Sequence, residues 1–127
     1  MTARRTKIYF DGGCRPNPGP MEIAVVVGGV ETIDRDLGEG SSLDAEWLAL
    51  LAALRLARER GLTDFVLLGD AVAAVAQASG KAPARGAAAK HMAAFREIVG
   101  DGSMPRIRHI GRAQNLAGIA LAKRHPR

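Results

Sequence analysis

The sequence predicts an α/β fold: a five-stranded mixed sheet, made of a three-stranded antiparallel meander plus two parallel strands, flanked by helices. Three observations carry this. Two apolar runs, Ile8-Tyr9-Phe10 and Phe65-Val66-Leu67-Leu68, each lead into a carboxylate, Asp11 and Asp70. A long helical pattern stands between them, so strand, helix and strand imply a right-handed crossover with the two strands parallel. Gly-rich turns separate two further strand patterns, as a meander requires.

Taken in order, Thr6 to Asp11 is a strand with Ile8 and Phe10 on one face and Tyr9 and Asp11 on the other. It breaks at Gly12-Gly13-Cys14-Arg15-Pro16-Asn17-Pro18-Gly19-Pro20, a run of turn residues. Ile23 to Val27 is continuously apolar, as in a strand covered on both faces. Gly28-Gly29 is a hairpin signal, and Val30 to Leu37 alternates through Thr32, Asp34 and Asp36, which suits a sheet edge. Gly38 to Ser42 reads as a loop. Ser41 or Ser42 caps the next helix, and with Ser41 as cap Asp44 completes a capping box. That helix runs to about Arg60, stops at Gly61, and buries Leu43, Trp47, Leu50, Leu51 and Leu54.

Asp64 to Asp70 is the fourth strand. Ala71 to Ser79 is a short helix ended by Gly80, and Lys81 to Gly86 is a basic linker. Ala87 to Val99 is a helix packing through Met92, Phe95 and Ile98, with His91 expected on the surface. After a loop, Arg106 to Ile110 is a short basic strand and Asn115 to Lys123 a final helix.

A chain of 127 residues suits a single domain, 1–127, with 47% hydrophobic and 24% charged residues typical of a globule. One cysteine, Cys14, excludes an internal disulfide and points to a reducing, cytoplasmic setting, with Cys14 as a turn residue. The N-terminus lacks the apolar region of a secretory signal, and no apolar run reaches membrane-spanning length. Residues 1–70 carry eight Lys/Arg against eleven Asp/Glu, a net −3; residues 71–127 carry ten against two, a net +8. Such a basic half suits a polyanion, nucleic acid ahead of a membrane surface.

If the two parallel strands are neighbours, Asp11 and Asp70 emerge side by side at the carboxyl edge, where open α/β sheets place ligands. Acids so close repel one another unless a cation compensates, and oxygen ligands suit a hard divalent ion. Gly12 and Gly13 keep side chains away from whatever Asp11 holds. Glu46 sits in the first turn of the long helix at the edge of its buried stripe, able to face the same cleft. Taken singly, Asp11 also reads as a turn residue and Glu46 as an acid satisfying the helix dipole.

Together these pieces resemble type 1 ribonuclease H. The likeness rests on Asp11-Gly12-Gly13-Cys14 with Asn17-Pro18-Gly19-Pro20, on Ala45-Glu46, on Gly69-Asp70, and on His109-Ile110-Gly111-Arg112-Ala113-Gln114-Asn115 with Leu121-Ala122. The order of elements also agrees. The resemblance implies a ribonuclease H-like fold and a metal-dependent endoribonuclease cutting the RNA strand of RNA–DNA hybrids with two Mg²⁺ ions. By position, Asp11 would bridge the ions and Glu46 and Asp70 would hold the one at the leaving group. His109 stands where the family has a mobile histidine assisting proton transfer or product release; a plain strand-end histidine reads equally well. Asn17 matches a minor-groove contact, and Gly12, Gly13, Cys14, Arg112 and Asn115 complete the implied substrate-binding set. Arg106, Arg108, Arg112 and Lys90 would meet phosphates, although a solvated basic face accounts for each singly.

Some family features are missing. Counting four residues from Asn115, the family's fourth carboxylate falls on Ile119, which cannot ligate a cation. Leu43 stands where the family has an asparagine, Ala71 and Val72 replace a polar pair, and the basic handle shrinks to Lys81–Arg85. The resemblance therefore implies a hydrolase of weakened activity that would favour Mn²⁺, working as a monomer. The other reading is a catalytically silent module that binds nucleic acid.

Overall fold

The structure is a computed structural model and describes residues 5–125. Met1–Arg4, the first part of the expected non-secretory N-terminus, and the last two residues lie outside that range. The elements are β1 (Thr6–Cys14), β2 (Gly19–Val27), β3 (Val30–Asp34), β4 (Glu39–Gly40), α1 (Ser42–Glu59), β5 (Phe65–Gly69), α2 (Val72–Ala78), α3 (Ala87–Val99), β6 (Arg106–His109) and α4 (Leu116–Lys123). The main sheet has the order β3-β2-β1-β5-β6, with β4 pairing β2. The meander is antiparallel, and β1 runs parallel to β5 as β5 does to β6. This is the mixed sheet the sequence predicts.

Two details differ. The stretch expected as a loop contains β4, because Glu39 and Gly40 fold back onto Pro20 and Gly19 and satisfy backbone groups that would otherwise face the turn. β1 continues past Asp11 to Cys14, paired throughout with Met21 to Ala24, so Gly12 and Gly13 belong to a strand and not to a turn.

Alternation along β1 divides the molecule into layers. Ile8 and Phe10 join Trp47, Leu50, Leu54 and Phe95 in the main core under α1 and α3. On the opposite face, Ala24 and Val26 pack with Ala117, Ala120 and Leu121 of α4, against the half-buried Tyr9. Ser41 caps α1 through the expected box, its hydroxyl accepting from Asp44 N–H. His91 is not a free surface residue. Its Nε2 lies 2.9 Å from Asp44 Oδ1 and its ring stacks on Trp47, because α3 packs across the start of α1. The hydrogen bonds from Ser41 and His91 hold the Asp44 carboxyl below its usual range. Trp47 in turn donates its indole N–H to Gln77 Oε1 at 2.8 Å, satisfying a polar atom deep in the core. Among the described residues, no helix is long and apolar enough to cross a membrane.

Candidate active site

The parallel register Thr6↔Phe65 to Tyr9↔Leu68, carried on by two residues, sets Asp11 beside Asp70 at the carboxyl end of β5. α1 brings Glu46 to the same point. Each of the three offers a carboxylate oxygen, and these oxygens all lie within 4.8 Å of one another.

Close backbone packing makes this possible. A Cβ on Gly12 would stand 2.1 Å from Ala45 O, so only glycine lets α1 approach β1 this closely. The Gly12 N–H donates to Glu46 Oε1, which fixes that carboxylate over the strand. On the other side, Asn115 is fully buried. Its Nδ2 donates to Asp70 Oδ2 at 3.1 Å and to Phe10 O at 3.0 Å, while its Oδ1 accepts from Ala117 N–H and caps α4. Asn115, expected to bind substrate, is thus a positioning residue beneath Asp70.

Burial, and next the charge of Asp11, push the Glu46 carboxyl up to about 9. Burial, and next the charge of Asp70, push Asp11 up to about 6. Three hard oxygens so arranged and so destabilised as anions suit a divalent cation. The same shifts set a pH dependence. Both folded values exceed the ordinary ones of 3.8 and 4.5, so the folded protein binds more protons than the unfolded chain between them. That contribution to stability is full below about pH 4 and is lost as the pH rises through about 6 for Asp11 and about 9 for Glu46. With a chelator present, the melting temperature is expected to fall from pH 5 to pH 9. Mg²⁺ should raise it more at pH 8 than at pH 5. A melting temperature that climbs over that range in chelator would contradict the clustered acids.

The acids border a cavity of about 360 Å³ whose wall also includes Gly13, Cys14, Arg15, Glu22 and Arg112. Of the four basic residues expected at phosphates, Arg112 alone borders this cavity. Its charge draws Asp11 down, against burial. Arg108 lines a separate groove on the α4 side of the sheet with Arg5 and Lys7, and Lys90 is exposed on α3. The Cys14 thiol lies within 3.3 Å of the carbonyls of Pro16, Gly19 and Gly40, where it ties the turn together. Asn17 is exposed and accepts from Ser42 N–H at 3.0 Å, at the mouth of α1. His109 is exposed at the end of β6, paired with Gly69, and does not border the cavity.

Ile119 is 41% exposed and does not border the cavity, whereas a Cβ on Gly118 would stand 3.5 Å from Asp11 Oδ2 and 3.6 Å from Asp70 Oδ2. Asn115 caps α4, and the burial of Ala117, Ala120 and Leu121 fixes the helix phase so that residue 118 faces the acids. Residue 119 lies a further 100° or so around the helix. Glu22, Arg15 and Gly118 were not singled out from the sequence. The one available signal was an acid inside an otherwise apolar strand, Gly19-Pro20-Met21-Glu22-Ile23.

The family model described as "Reverse transcriptase-like" matches residues 11–125. The ribonuclease HI of Halobacterium salinarum is 39% identical over 71 residues, 52% of this chain and 36% of that protein, so the chain spans about a third of that curated relative's length. The crystal structure of RNase H1 from the same organism superposes with a TM-score of 0.80 at 31% identity, covering 94% of this chain and 99% of that one. LC11-RNase H1, solved in complex with an RNA/DNA hybrid, gives a TM-score of 0.78 at 29% identity over 88% and 89% of the two chains. Sheet order, converging acids and similarity along nearly the whole sequence agree, and the chain belongs to the type 1 ribonuclease H family.

Proposed function

We propose that this chain hydrolyses the RNA strand of RNA–DNA hybrids with divalent ions held by Asp11, Glu46 and Asp70. The meeting of their oxygens within 4.8 Å carries the reading. The relative named ribonuclease HI and the hybrid-bound LC11-RNase H1 support the substrate class. Divalent ions at these oxygens would lower the pKa of an attacking water and offset charge building on the phosphate.

The remaining roles belong to the chain. Asp11 would be a ligand common to the ions, and Glu46 and Asp70 would hold the one on the leaving-group side. The Gly12 N–H and the Asn115 amide fix the two outer carboxylates, so little reorganisation is needed during reaction. Gly12 and Gly13 leave the floor bare for the sugar-phosphate backbone, and Arg112 and Arg15 set a positive rim around it. Asn17, beside the start of α1, meets the minor groove, where 2′-hydroxyls mark RNA. His109 sits two residues past the position paired with Leu67 and opposite Gly69, close in the fold to Asp70. From there it exchanges a proton with the leaving oxygen or released product. Mg²⁺ is the working ion and Mn²⁺ is accepted at least as well, in a cytoplasmic monomer formed by residues 1–127.

The second reading, a silent nucleic-acid-binding module, is favoured by the bare Gly118. A labelled hybrid incubated with Mg²⁺, Mn²⁺ or chelator separates the two. The expected result is ion-dependent scission of the RNA strand with the DNA strand intact. Tight, salt-sensitive binding without cutting in either ion would give the second reading.

A further inference from the structure

Two divalent ions would bring four positive charges to a site whose clustered acids, Asp11, Glu46 and Asp70, supply three negative ones. The α4 wall adds none, since Gly118 faces Asp11 and Asp70 without a side chain. A fourth carboxylate reaches the same cavity from another direction, Glu22 of β2.

The strand register fixes where it stands. Gly13 pairs with Glu22 and Asp11 pairs with Ala24, so Glu22 and Asp11 share a face as diagonal neighbours. Such neighbours have Cβ atoms about 7 Å apart. Gly13 leaves the space between them open, and Glu22 lies across it: a Cβ at residue 13 would sit 3.6 Å from Glu22 Oε1. Carboxylates at that separation suit an ion–oxygen distance of about 2.1 Å and an ion–ion spacing of about 4 Å. The Glu22 side chain is only 13% exposed, and one of its oxygens meets His125 Nε2 at 2.5 Å. That oxygen, Oε1, is also the one facing Gly13, and a carboxylate oxygen can serve more than one partner. A mostly buried acid on an otherwise apolar strand, at the wall of a cavity bordered by three more, is placed to add a ligand from the β2 side.

We propose that Glu22, together with Asp11, holds the second divalent ion, from the β2 wall and in place of any acid on α4. This rests on the nuclease reading above. The test is Mn²⁺ binding to the full-length, metal-free protein without substrate, followed by calorimetry and by the electron paramagnetic resonance signal of free Mn²⁺. The wild type is expected to take two ions. Glu22→Gln should leave the tighter site unchanged and weaken the second at least tenfold, and Glu22→Ala should do the same. Asp11→Asn should weaken both. Thermal melts of each variant establish that it is folded.

A wild type that takes a single ion would overturn the proposal, as would a folded Glu22→Gln protein with the wild-type isotherm. Hybrid cleavage measured in parallel separates this from the broader reading. Cutting with Mn²⁺ binding indifferent to Glu22 sinks the role of Glu22 and leaves the nuclease. Two bound ions, the second of them dependent on Glu22, without cutting sink the nuclease and leave the role of Glu22 in ion binding.

Discussion

Asp11→Asn is expected to lower hybrid cleavage by about 10³-fold, a loss of roughly 4 kcal/mol in transition-state stabilisation. The substitution is nearly isosteric, so the reason is charge and ligation alone. Asp11 is the acid hydrogen-bonded to Glu46 and repelled by Asp70, and the substitution takes away its charge and one of its two oxygens. The same geometry predicts the opposite effect on the fold. Without an ion, three close carboxylates oppose one another, so Asn at residue 11 should melt no lower than the wild type in chelator. Mg²⁺ should then fail to raise its melting temperature. Single-turnover cleavage and paired melts with and without Mg²⁺ check both halves. Activity within tenfold of wild type would mean that Asp11 does not ligate.

Gly12→Ala is expected to have the largest effect on stability, a loss of about 3 kcal/mol or more. The added methyl would stand 2.1 Å from Ala45 O and 2.6 Å from Glu46 N, backbone atoms of α1 that can yield only if the whole helix moves. That movement breaks the Gly12 bond to Glu46, so activity should fall even in whatever fraction remains folded. Gly13→Ala is the control. Its methyl would meet Glu22 and Leu121 side chains at 3.6–3.8 Å, ordinary contact, and should cost under about 1 kcal/mol. Urea denaturation of the pair measures the difference. Equal midpoints would show that α1 does not lie against residue 12.

Much of this was legible in the chain because it depends on short-range pattern. Period-two alternation put Asp11 opposite Ile8 and Phe10, and the crossover rule made β5 parallel to β1, so the meeting of Asp11 and Asp70 needed only that the two strands be neighbours, as they are. Ser41 and Asp44 announced the start of α1 and hence the height of Glu46. What could not be read depends on register and helix phase. Glu22 acquires a neighbour in Asp11 only through the Gly13↔Glu22 pairing. Counting from Asn115 reached Ile119, but a helix turns about 100° per residue, and which residue faces the sheet is decided by Ala117, Ala120 and Leu121 packing on Ala24 and Val26. His91 was assigned to solvent because nothing local reveals that α3 crosses the start of α1. The pairing of β4 with β2 spans only two residues, too few to leave an alternating pattern.

The sole tryptophan of the chain, Trp47, is fully buried, donates to Gln77 and lies against the His91 ring, one residue from Glu46. Its fluorescence is therefore an intrinsic optical gauge of the helix that carries a site carboxylate. Emission should shift to longer wavelength as α1 detaches, and protonated His91 should quench it. Unfolding of α1 can thus be followed without a label.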